Sequence, residues 1–477
     1  MRGSSIRALR PGPASNHMTG IAVIVIALGA LVYLAYRGVS LLLLAPAMAI
    51  FAVTASEGGP VLASYTQVFM TATGGFIIQY FPLFLLGAVF GKLMEASGSA
   101  QVLADGIIQR LGAGRAILAV ILCCAVMTYG GVSLFVVAFA VYPIAAALFR
   151  QADLPKVLIP AAIALGAFTF TMTALPGTPA IQNAIPMPYF GTTPYAAPGL
   201  GILTGATMLL LGWQWLEWRA RVLGPGYGDH DDDAPKADKT SDPPSLALAA
   251  LPLVLVIVLN LSFTFVIIPA LDTDYLSLPE YGATDVGALR GVWSIIAALT
   301  LASVALVVLN LGRLRETLGG TLESGAVDSL KPIFNTASLV GFGAVIASLS
   351  AFVLIRDWVV TVGGDNPLIS LAVGTSLLAG MTGSASGGMS IALSTLGDTY
   401  LQMGEEAGIA PALLHRVTAV ATGGLDALPH NGAVITLLTI CGLTHRQSYR
   451  DIAVVAVVIP ILALVQLIIL GTLFGSF

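Results

Sequence analysis

Residues 379–444 read AGMTGSASGGMSIALSTLGDTYLQMGEEAGIAPALLHRVTAVATGGLDALPHNGAVITLLTICGLT, and this stretch decides the fold. Its apolar runs are interrupted by glycine pairs, clustered hydroxyls, prolines and acids. Soluble cores seldom tolerate such interruptions. In lipid, irregular backbone persists only where protein or a water-filled cavity satisfies the freed amides and carbonyls, so the pattern points to a solute site inside a membrane protein.

Composition agrees. Hydrophobic residues make up 57% of the 477, charged residues only 10%, and mean hydropathy is +0.90, too apolar for a soluble chain of this length. The net charge of −4 says little, because many acids fall in the polar connections 229–242 and 272–285. Neither nucleic acid nor a cofactor is implied. Cys123, Cys124 and Cys441 have no disulfide or metal spacing and read as small packing residues. Residues 1–18 form an Arg-bearing extension without a persuasive cleavage site, so a retained first helix is expected, with Met18 as an alternative start.

Crossing about 30 Å of hydrocarbon takes roughly 20 helical residues. The first repeat, 19–218, offers apolar blocks at 19–36, 39–55, 71–92, 115–150, 156–190 and 197–218; the second, 246–477, offers 246–270, 289–311, 331–355, 367–396, 411–444 and 452–474. Trp213, Trp215 and Trp218 read as an interfacial belt. Between the repeats lies a polar linker, 219–245, expected to be cytoplasmic; His230 among its aspartates reads as part of a solvated loop rather than a metal site.

Six blocks and six suggest a duplication. ALPGTPA at 174–180 recurs as ALPHNGA at 427–433, and Met127-Thr128 recurs as Met381-Thr382. The fold expected is therefore an all-α polytopic membrane protein of two inverted repeats, about six elements each, every repeat holding a re-entrant hairpin and a broken transmembrane helix. Lysines and arginines suit this arrangement when both chain ends are external, with Arg356 alone among the later basic residues outside. Arg2, Arg7 and Arg10 fit an external start only if the chain begins at Met18.

The hairpin tips are expected at Thr128, Tyr129, Gly130, Gly131 and Ser133, and at Thr382, Gly383, Ser384, Ser386 and Gly387. Glycine lets backbone turn sharply near a ligand, and hydroxyls with free N–H groups bind a carboxylate. Pro176 and Pro429 break the partner helices, and half-helix N-termini there favour an anion. Thr178, Gln182, Asn183 and Asn431 add neutral hydrogen bonds suited to hydroxyl groups. Asp426 is the one acid deep in an apolar block, and His430 follows four residues later; together they are candidate proton carriers. The plainer reading is that Asp426 caps a half-helix and His430 satisfies a carbonyl. His415 and Arg416 read as interfacial and snorkelling; His445 is expected to have no role.

DALPHNGAVITLLTICGLTHRQSYRD at 426–451, with GMTGSASGGMS at 380–390, resembles the gluconate permease family of bacterial proton symporters, including its 3-hydroxybutyrate permease-like members. The resemblance implies proton-coupled uptake of a small hydroxylated monocarboxylate across the bacterial inner membrane. It also implies a homodimer with scaffold and mobile transport domains, in the wider ion-transporter superfamily. Sodium-coupled carboxylate transport is the nearest alternative, since hydroxyls and broken-helix carbonyls also bind Na⁺. An intramembrane hydrolase using Ser384 or Ser386 with His430 is a third, lacking any flanking nucleophile motif.

Overall fold

The computed structural model describes residues 14–37, 39–56, 59–228, 243–362, 364, 366–429 and 431–477. Expectations for the first residues, for the linker core at 229–242 and for His430 lie outside the described residues.

The first half runs α1 (Ala14–Tyr36), α2 (Leu41–Ser56), α3 (Val61–Ala96) and a short α4 (Ser99–Leu111). The hairpin α5 (Ala116–Tyr129) and α6 (Leu134–Gln151) follows, entered through a 96° bend after α4. Next comes α7 (Lys156–Thr173), which unwinds before the short turns Ile181–Ala184 and Pro186–Phe190, and then α8 (Pro198–Leu223). The second half repeats the order: α9 (Leu246–Ala270), α10 (Val286–Leu309), α11 (Leu318–Ser348), a short α12 (Phe352–Thr361), and the hairpin α13 (Pro367–Thr382) and α14 (Ala385–Glu406). It closes with α15 (Pro411–Leu425), a break, α16 (Gly432–Ile440) and α17 (His445–Phe474). Among the described residues eight helices are long and apolar enough to cross a membrane.

Equivalent helices of the two halves run antiparallel, so the repeats are inverted. On α3 and α11, Gly325 packs on Val89 while Gly341 packs on Phe69 and Thr73. On α8 and α17, Arg219 pairs with Asp451 at one end, and the amides of Gly199 and Leu200 donate to the Phe477 oxygen at the other. The halves also interleave, with α1 and α2 packing on α11 and α12, and α9 and α10 on α4 and α3. Neither half keeps its apolar faces to itself.

Basic residues collect at one end. The Lys92–Asp328 pair sets the end of α3 beside the start of α11; Gly226 N–H donates to Asp153 O, Lys156 N–H to Tyr227 O, and Ser448 Oγ–H to Val157 O. These bonds tie the α6–α7 corner to the end of α8 and the start of α17. The opposite end holds Phe477, the Asn366–Thr472 contact and Gly20 against Ala351.

Several boundaries differ from the hydropathy reading. Helix α3 starts ten residues earlier than residue 71, and α11 starts at Leu318 rather than 331, because helices outrun the bilayer where polar side chains find partners, as Asp328 does. The amphipathic α4 was hidden by its polar face. Of the three tryptophans only Trp218 is exposed; Trp215 Nε1 donates to Asp451 and Trp213 Nε1 to Glu217. All three cysteines are buried and free.

Candidate functional site

Each hairpin tip docks on the break of its own half. In the first half Gly131 takes the left-handed φ of 94° that only glycine adopts freely, and Ser133 caps α6 by accepting from Val136 N–H. Tyr129 Oη donates to Pro176 O at 2.7 Å, and Gly131 lies against Pro179. Proline removes donors from the break, so its carbonyls find other partners: Gly177 O accepts from Asn260 Nδ2 on α9 at 2.9 Å. Thr178 Oγ1 accepts from Ala180 N–H. Thr128 Oγ1 and Gln182 Oε1 are buried without a hydrogen-bond partner in the protein.

The second half is built alike. Gly383 turns the chain at φ 60°, Ser384 caps α14 by accepting from Gly387 N–H, and Gly387 packs on Leu339. Ser384 Oγ lies 3.4 Å from Ser386 Oγ, itself 3.2 Å from Thr336 Oγ1 on α11. Thr382 Oγ1 donates back to Leu378 O. Asn431 caps α16 through Oδ1, accepting from Ala433 and Val434 N–H, and its Nδ2 donates to Gly383 O at 3.0 Å. Asn431 is therefore the N-cap of the half-helix after the break, and Asp426 ends the one before it. Two side chains of α17 cover the break: Tyr449 Oη donates to Ala427 O, and His445 Nε2 lies 2.8 Å from Pro429 O. His445 was given no role by sequence, because nothing in its neighbours shows that α17 folds back over residue 429.

The two breaks are joined through α15. Gly423 packs on Thr173. About two turns earlier stand His415 and Arg416, and here the interfacial expectation is overturned: both are fully buried. Arg416 donates to Thr173 O, Ala196 O, Asn183 Oδ1 and, more weakly, Pro194 O. His415 bridges Thr192 Oγ1 at 2.6 Å and Asn183 Oδ1 at 3.1 Å. Asn183 also donates to Thr178 O and Pro194 O, so its amide is spent on holding the first break and has no donor left for a solute hydroxyl. Sequence alone treated residue 415 as a helix start near solvent; it is instead the core of the junction, because the first half's loop 191–197 folds over it.

Arg416 has only neutral oxygens around it and joins no ion pair among the described residues. A buried cation of this kind makes its surroundings favourable to an anion. Asp426 ends α15 half-buried, also without an ion pair among the described residues. No group of three or more His, Cys, Asp or Glu suited to a metal occurs among the described residues.

Inverted halves with docked hairpin tips, broken helices and a buried polar junction define a polytopic membrane transporter. The chain is 45% identical over 454 residues to the uncharacterized transporter YxjC of Bacillus subtilis, covering 92% of this chain and 96% of that protein, and it belongs to that transporter family. No protein-family model matches it. The fold is similar to that of the YdaH transporter of Alcanivorax borkumensis, whose crystal structure reveals an unusual topology: TM-score 0.56, 16% identity, 88% of this chain and 90% of that one covered.

Proposed function

We propose that this transporter is a secondary carrier that takes up a small hydroxy monocarboxylate, of the gluconate or 3-hydroxybutyrate kind, together with protons. The observation that carries the reading is Arg416, a buried guanidinium with no counter-ion among the described residues, held by the first break and the loop that follows it. A carboxylate arriving there supplies the missing charge. The unpartnered Thr128 and Gln182, with Thr178 and the Ser384–Ser386 hydroxyls, offer hydrogen bonds to its oxygens. Asn183, Asn431 and Tyr129 position the breaks around them. Asp426 carries the coupling proton, with His430 as its sequence neighbour. By the positive-inside rule the basic end faces the cytoplasm of a bacterial inner membrane.

The test is uptake of labelled gluconate or 3-hydroxybutyrate into proteoliposomes under an imposed pH gradient. Accumulation of one of them that collapses with the gradient is expected; the absence of gradient-dependent accumulation of both overturns the reading. A sodium-coupled carrier is the second reading, favoured by the clustered Thr336, Ser384 and Ser386 hydroxyls. Accumulation driven by Na⁺ at constant pH and unaffected by Asp426→Asn selects it.

A further inference from the structure

At the end away from the one where basic residues collect, a cavity of about 300 Å³ opens between the loop before α8, the first turns of α10 and α15, and residues 476–477. Its polar lining is Thr192, Thr193, Tyr195, Arg290 and Ser476, with the main chain of Phe477 beside them. The helix ends here have already spent their amides. Gly287 and Ala288 N–H donate to Asp285, and Gly199 and Leu200 N–H to the Phe477 oxygen.

The side chains have not. Arg290 Nε is buried without a partner, and Arg290 joins no ion pair among the described residues. Tyr195 Oη is likewise buried and unpartnered. A guanidinium without a counter-ion in the wall of a concave space favours an anionic, acceptor-rich ligand. Tyr195 also connects the cavity inward: its ring stacks on Phe265 at 5.2 Å and lies against Gly177 of the first break. Arg416 grips Pro194 O and Ala196 O from the inner side of the same loop. One loop separates the two guanidiniums.

We propose that this cavity is an outer capture site for a small monocarboxylate, with Arg290 and Tyr195 donating to its oxygens before the anion passes to the junction at Arg416. The ligand class rests on the carboxylate-carrier reading; the site itself rests on Arg290 in the cavity wall, without an ion pair among the described residues. Its volume lies at the lower end of ligand pockets and suits a short acid.

Ser476→Cys places a reporter in the cavity wall, and the native thiols are all buried. In the full chain in oriented vesicles, a membrane-impermeant maleimide applied from outside labels that cysteine. Gluconate or 3-hydroxybutyrate is expected to slow labelling, whereas neutral butane-1,3-diol leaves it unchanged. Adding Arg290→Gln is expected to raise the half-protecting concentration about tenfold, as loss of a charge-assisted bond does, and the uptake KM by a similar factor; Arg290→Lys recovers part of both. Equal protection with and without Arg290→Gln overturns the site, as does no protection by an acid that the protein demonstrably carries. If neither acid is carried but protection depends on Arg290, the carrier reading falls and the capture site stands. Neither transport nor protection removes both.

Discussion

Arg416 combines two duties that substitution separates. It ties three carbonyls and Asn183 together, and it places a charge at the junction. Arg416→Lys keeps the charge but loses the fork, so uptake with a raised KM is expected, whereas Arg416→Gln loses both and should abolish carboxylate uptake; initial rates in proteoliposomes decide. At the second break, Asn431→Ala removes a helix cap and the bond to Gly383 O. The expected cost is about 1–2 kcal/mol, read as a lowered unfolding temperature in detergent. Asp426→Asn should leave substrate exchange in place while uptake loses its response to a pH gradient, since an amide cannot take up the coupling proton. Asp426 and the tip residues were legible because polar groups are conspicuous in apolar sequence. Arg416 was not, because its burial depends on a loop more than two hundred residues away.

Helix pairs show the same packing in both halves. Gly166 of α7 lies against Ile121 of α5, and in the second half Ser376 of α13 donates to Ala421 O of α15. Both pairs are 45 residues apart, so the hairpin arm and broken helix dock at one register twice. Gly380 meets Leu425 by the same rule. An added methyl at Gly166 would strike the Ile121 carbonyl, whereas one at Gly87 meets open space. Gly166→Ala and Gly380→Ala are therefore expected to destabilise by about 1–3 kcal/mol through overpacking. Gly87→Ala is expected to be neutral or stabilising by up to about 1 kcal/mol through helix propensity. Thermal unfolding of the three variants checks the opposite signs.

Across the described residues the two halves are held by interleaved apolar surface and by buried polar contacts centred on Arg416, His415 and Asn260. The buried ion pair among the described residues is Arg219 with Asp451, 2.7 Å apart and joined by Trp215 Nε1, which fastens α8 to α17 at the basic end. Removing one partner of such a pair leaves the other charged and unmatched. Arg219→Gln is expected to cost about 3–5 kcal/mol, visible as poor recovery of folded protein and a lowered unfolding temperature. Asp328→Asn at the half-exposed pair with Lys92 is expected to cost no more than about 1 kcal/mol.

The sequence by itself determined the membrane setting, the duplication and the places where helices break, because hydropathy, glycine and proline act locally through desolvation and backbone geometry. It placed Asn183 and Asn431 near the breaks but not their bonding, and it set Arg416 and His415 at the interface. Only tertiary structure decided that the inverted repeats interleave, that α17 covers residues 427–429, and that a guanidinium of the second half is buried against the first break. Those outcomes depend on contacts between segments far apart in the chain, where the cost of burying a charge is set by whichever carbonyls the fold brings to it.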